Sequence, residues 1–81
     1  MDLIETIQQY KDLIQKKENL MEKYRKHTQD IQVREGHTED DKTLLAWYPL
    51  EIAGLKVQVF NDKKILATVL NEEIGRILQD L

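Results

Sequence analysis

"TLLAWYPLEIAGLKVQVFNDKKILATVL" occupies positions 43 to 70 and decides the fold class of this 81-residue chain. It holds the only tryptophan, the only proline and the only phenylalanine, and β-branched residues alternate at Val57 and Val59. Period-two alternation puts Leu55, Val57 and Val59 on one face of an extended segment. The stretch therefore reads as two strands, "LKVQVF" (55–60) and "KILATVL" (64–70), joined through Asn61 and Asp62, whose short polar side chains suit a turn. A third strand, "TLLAWY" (43–48), would end at Pro49. Residues 63–81 also fit one continuous helix, with Ile65, Leu66, Val69, Leu70, Ile74, Ile77, Leu78 and Leu81 along a stripe, and periodicity alone does not separate the two. Two local signals favour a break: "ILATV" is rich in strand formers, and Asn71 followed by Glu72 and Glu73 reads as an N-cap with an acidic first turn. A terminal helix is expected at about 72–81, and a close packing contact would account for Gly75 inside it.

Upstream, "LIETIQQYKDLIQKKENLMEKYRKHTQDI" (3–31) contains neither glycine nor proline. Leu3, Ile7, Tyr10, Ile14, Lys17, Met21, Tyr24, Thr28 and Ile31 follow in alternating steps of four and three, which is a heptad pattern. Ile4, Leu13 and Leu20 widen the stripe, and helix-forming polar residues cover the rest. A helix over about 2–34 would be roughly 45 Å long, more than the ~30 Å across a small domain. Half of its apolar stripe would stay wet unless a second helix covered it, and the expected short terminal helix is too small for that. The economical partner is another copy, which makes Leu3, Ile7, Tyr10, Ile14, Met21, Tyr24 and Ile31 the expected oligomer interface of a homodimer or larger bundle. Lys17 in the seam reads as a snorkelling side chain, or else as a register-setting polar position, and Thr28 as a fraying end. A rival layout breaks the helix at Asn19, where "NLME" resembles a cap, although no glycine or proline supports a turn there.

Gly36 reads as a left-handed cap ending the long helix, and "REGHTEDDKT" as a solvated connector. Residues 35–42 carry four acids and one base, so the chain's net charge of −3 is concentrated there. Residues 1–34 and 43–81 are close to neutral. The expected organisation is one α+β domain over 1–81: an oligomerisation helix (1–34), an acidic connector (35–42), and a module of β-hairpin or three-stranded meander (about 43–70) plus short helix (43–81).

Composition narrows the chemistry. Cysteine and serine are both absent, which removes disulfides, thiolate zinc sites and both common nucleophiles. No phosphate-cradling glycine motif occurs. His27 and His37 flank the end of the helix, with His27 expected at the rim of its stripe. A weak hard-cation site in "HTEDD" lacks the glycine-punctuated spacing of a calcium loop, so no metal and no cofactor is expected. Interleaved charges argue against nucleic acid, which would require a concentrated basic face. No apolar run approaches the ~18 residues of a membrane span, and the N-terminus lacks the order of a signal peptide, so a reducing cytoplasm is the expected setting. "LAWYPL" offers aromatic contact residues: Trp47 is expected in the core and Tyr48 on the opposite, available face. The functional expectation is a non-enzymatic, self-associating adaptor or inhibitor that binds another protein. The alternative is an oligomer capturing a small anionic ligand, such as a nucleotide, between subunits at Tyr24, Arg25, Arg34, Trp47 and Tyr48.

Overall fold

The first helix begins where the sequence supplies a cap. Asp2 is extended (φ −68°, ψ 135°) and its carboxylate accepts from the Ile4 amide at 3.3 Å, satisfying one of the amides a helix start leaves open. From there α1 (Leu3–Gln32) runs 30 residues without interruption, so the break considered at Asn19 does not occur. Val33 closes it in a right-handed conformation, with its amide on the Gln29 carbonyl at 3.1 Å. Gly36 is therefore not a left-handed cap, and no glycine among the described residues has a positive φ. The computed structural model describes residues 2–81.

The second helix corrects the reading of positions 43–70. α2 (Glu39–Asp80) is continuous over 42 residues, and no strand occurs among the described residues. The expected α+β class, the hairpin or meander at 43–70 and the separate helix at 72–81 are thus all replaced by one helix. Val57 shows why. A strand would put Leu55, Val57 and Val59 on one face, whereas Leu55 and Val59 are buried and Val57 is 60% exposed. The operative spacing is i, i+4. β-Branched residues cost a helix only a few tenths of a kcal/mol each, and strand preference is largely fitness for a half-buried surface. Here the burying surface is the stripe of α1, and only a helix of comparable length can match it from end to end. Asn61 and Asp62 make no turn; Asp62 points at α1 instead.

The acidic cluster starts α2. Thr38 is its N-cap, and a capping box links Thr38 and Asp41: the Thr38 hydroxyl accepts from the Asp41 amide, and the Asp41 carboxylate accepts from the Thr38 amide, each at 3.1 Å. Glu39, Asp40 and Asp41 lie in the first turn, where negative charge complements the unpaired amides. Residues 39–42 are therefore helix rather than connector. Pro49 sits about three turns inside α2, where it deprives the Leu45 carbonyl of a donor.

Packed side by side and antiparallel, the helices form a rod of 66 × 18 × 16 Å. All nine heptad positions of α1 are buried or half-buried. Their partners on α2 repeat the same spacing: Asp41, Leu45, Tyr48, Ile52, Leu55, Val59, Asp62, Leu66 and Val69 are likewise buried or half-buried. Met21, Leu55 and Val59 form the centre of the core, with Ile14, Tyr24 and Ile52 packed around them. One polar layer crosses it: Lys17 Nζ meets Asp62 Oδ2 at 2.6 Å. Lys63 and Glu18 bracket that layer at 3.3 Å.

Candidate interaction surface

The sequence of α2 contains a second heptad, displaced by two positions from the first. Ala46, Leu50, Ala53, Val57, Phe60, Lys64, Ala67, Asn71, Ile74, Leu78 and Leu81 follow in steps of four and three, and every one is exposed. At 3.5 residues per turn the two stripes lie about 150° apart around the helix, so α2 is apolar on two nearly opposite faces. One face is covered by α1. On the other, Leu50 is 73% exposed, Phe60 65% and Leu78 64%. Lys64 and Asn71 interrupt the outer stripe, and Lys64 makes no ion pair among the described residues.

Stripe and rod meet along one side. An open groove there is lined by Glu18, Glu22, Arg25, Lys56, Phe60 and Lys63, with Met21 and Val59 also in its wall. Its charges alternate in sign, and it continues toward the connector past Pro49, Ile52 and Ala53.

On the seam, Tyr24 stacks on Tyr48 with ring centroids 4.9 Å apart and meets Trp47 edge-on at 5.5 Å. Tyr48 also shares a hydrogen bond with His27 Nδ1. The expected roles of the two neighbouring aromatics are exchanged: Tyr48 is 6% exposed and Trp47 42%. A strand would send these neighbours to opposite faces, whereas on the helix they are about 100° apart, and Tyr48 takes the heptad position. Of the five residues expected to hold a partner or ligand, Tyr24, Trp47 and Tyr48 come together. Arg25 lies at 4.0 Å from Glu22, and Arg34 at 3.3 Å from Asp41, so neither guanidinium joins the aromatic trio.

The expected oligomer interface, Leu3, Ile7, Tyr10, Ile14, Met21, Tyr24 and Ile31, does face a helix, but that helix is α2 of the same chain. The reason for placing another copy on α1 no longer applies. Leu50 and Phe60, which the sequence reading assigned no role, and Val57 and Leu78, which it placed on other faces, form the uncovered stripe instead. Their signal was present as the 46–50–53–57–60 spacing, hidden under the Val57/Val59 alternation.

Near the connector, Asp41 and His37 both pair with backbone groups. The Thr38 amide, followed by the Arg34 charge, holds the Asp41 carboxyl below its ordinary value of 3.8, against an opposing effect of burial. His37 Nε2 lies 2.9 Å from the Ile31 carbonyl. Among the described residues no group of three or more metal-ligating side chains comes together, and the acidic residues of "HTEDD" lie in the first turn of α2. No described helix is long and apolar enough to cross a membrane. No protein family matches the chain, and no curated protein or solved structure is significantly similar to it.

Proposed function

We propose that this protein is a self-associating interaction module of the adaptor or inhibitor type, binding rather than catalysing, and that it associates through the outer stripe of α2. One observation carries the reading: a heptad stripe along α2, apolar at nine of its eleven positions, that α1 leaves uncovered. Soluble monomers rarely expose contiguous apolar patches beyond a few hundred Å², and such patches mark interaction sites. Heptad spacing is also the pattern a helix presents to another helix. The absence of cysteine fits a reducing compartment such as the cytoplasm. Capture of a small anionic ligand draws no support from the arrangement, because Arg25 and Arg34 do not converge on the aromatic cluster.

Sedimentation velocity tests the reading. The wild-type chain is expected to associate at concentrations up to about 100 µM. Val57→Asp is expected to sediment as a monomer with unchanged helical circular dichroism, since Val57 takes no part in the α1–α2 core. A wild-type chain that stays monomeric throughout would overturn the proposal.

A further inference from the structure

We infer that the occupant of the outer stripe is a second copy of this chain, lying antiparallel about a two-fold axis that passes between Lys64 and Ala67. The inference rests on the proposed association and adds its partner, orientation and register.

Orientation follows from the distribution of large and small side chains. One column of the stripe holds all its alanines, Ala46, Ala53 and Ala67, alongside Phe60, Ile74 and Leu81, and the other carries Leu50, Val57 and Leu78 with the polar Lys64 and Asn71. In a parallel pair each position meets itself, so three layers would be alanine on alanine, leaving voids, and Lys64 would face its own charge. In an antiparallel pair the column that holds the alanines meets the one that holds none. With residue numbers in facing positions adding to 131, Ala53 meets Leu78 of the other copy, Val57 meets Ile74, and Leu50 meets Leu81. Ala67 then meets the aliphatic stem of Lys64, and every alanine in the overlap faces a longer side chain.

In this register Asn71 faces Phe60 of the other copy, and its amide turns toward the neighbouring layer. Helical side chains lean toward their own N-terminus, so in antiparallel helices Lys64 and Asn71 of the other copy, which sit in adjacent layers about 6 Å apart along the axis, lean toward one another. The Lys64 ammonium can donate to the Asn71 carbonyl oxygen. Gly54 and Gly75 fall on one flank of the stripe, nearly opposite each other across the axis. Within one chain, a Cβ at either glycine would meet nothing within 4 Å, so intrachain packing does not explain these helix-interior glycines. Close approach of a second backbone would.

Area is consistent with a real but weak dimer. The overlap from 50 to 81 is about 48 Å long. Leu50, Val57, Phe60, Ile74, Leu78 and Leu81 are each more than half exposed, and covering them with their neighbours removes on the order of 500 Å² per copy. The total, about 1,000 Å², sits at the lower limit for a specific interface, which implies a transient dimer whose population depends on concentration.

Because the chain has no cysteine, disulfide trapping reads the arrangement directly. Positions 53 of the two copies would be about 37 Å apart along the axis, far beyond the ~7 Å limit between Cα atoms for a disulfide. Ala53→Cys and Leu78→Cys are therefore expected to cross-link when mixed and oxidised, and neither is expected to cross-link alone. Self-linking of Ala53→Cys would overturn the antiparallel register while leaving association intact. A mixed disulfide forming no faster than between Ala53→Cys and an off-stripe Gln58→Cys would overturn it as well. A wild-type monomer by sedimentation would instead remove the underlying proposal.

Discussion

Deleting the Asp62 carboxylate should unsettle this rod more than deleting any exposed charge. Lys17 and Asp62 stand 2.6 Å apart in the seam, with side chains only 19% and 13% exposed. At an effective dielectric of ~20, two unit charges at that distance attract by about 6 kcal/mol. Most of this is offset by withdrawing both groups from water, several kcal/mol per ion, so the intact pair contributes little net. Asp62→Ala removes the attraction and leaves the Lys17 ammonium to find water past Met21 and Ile14. A fully buried pair broken this way costs about 3–5 kcal/mol, and the remaining access of Lys17 lowers the expectation to about 2–3 kcal/mol. Lys17→Met combined with Asp62→Leu should recover that loss or exceed wild type, because apolar replacement restores packing without desolvation. Urea unfolding followed by circular dichroism, at concentrations too low for association, would compare wild type, Asp62→Ala and the double variant. An Asp62→Ala chain within 0.5 kcal/mol of wild type would show that the ammonium escapes to solvent at no cost, and the account of a buried polar layer would be wrong. What the pair contributes is register: a slip of one heptad would set Lys17 against Leu55 or Val69.

Two further outcomes follow from the same geometry. Gly54→Ala should raise the stability of the dilute monomer by about 1 kcal/mol, since the added methyl group meets nothing in the chain; a loss of stability on thermal unfolding would refute that. Acid should weaken the start of α2. Asp41 has a depressed carboxyl in the folded chain, so its contribution is present in full above the ordinary value of 3.8 and is lost as pH falls through the lowered folded value. Urea midpoints compared between wild type and Asp41→Asn should therefore converge below that range, and a constant difference down to pH 2 would contradict the linkage.

Much of α1 was legible in the chain itself. Its heptad, its polar face and its lack of helix breakers agree with each other, so local preference and tertiary burial pointed the same way. For α2 they pointed apart. Pro49, Gly54, Val57 and Val59 each lower helix preference locally, and Asn61–Asp62 and Asn71–Glu73 imitate a turn and a cap. Summed over a short window these features favour a strand; summed over 42 residues they yield to two heptads on opposite faces. Because the two apolar stripes oppose one another, they also blur the one-sided pattern that normally announces an amphipathic helix. The outer stripe was hidden for the same reason: a residue cannot be recognised as facing outward until the inward face is known.

By itself the sequence determined that a long heptad helix occupies the N-terminal part, that its stripe demands a helical partner, and that thiol and serine chemistry are absent. Those conclusions depend on residue type and spacing within one segment. Only the tertiary structure decided that the partner is the chain's own second helix, that Tyr48 rather than Trp47 enters the seam, and that the apolar face left uncovered belongs to α2. Each of these is a question of which of two apolar surfaces is covered, and burial is a property of pairs of segments that neither segment specifies alone.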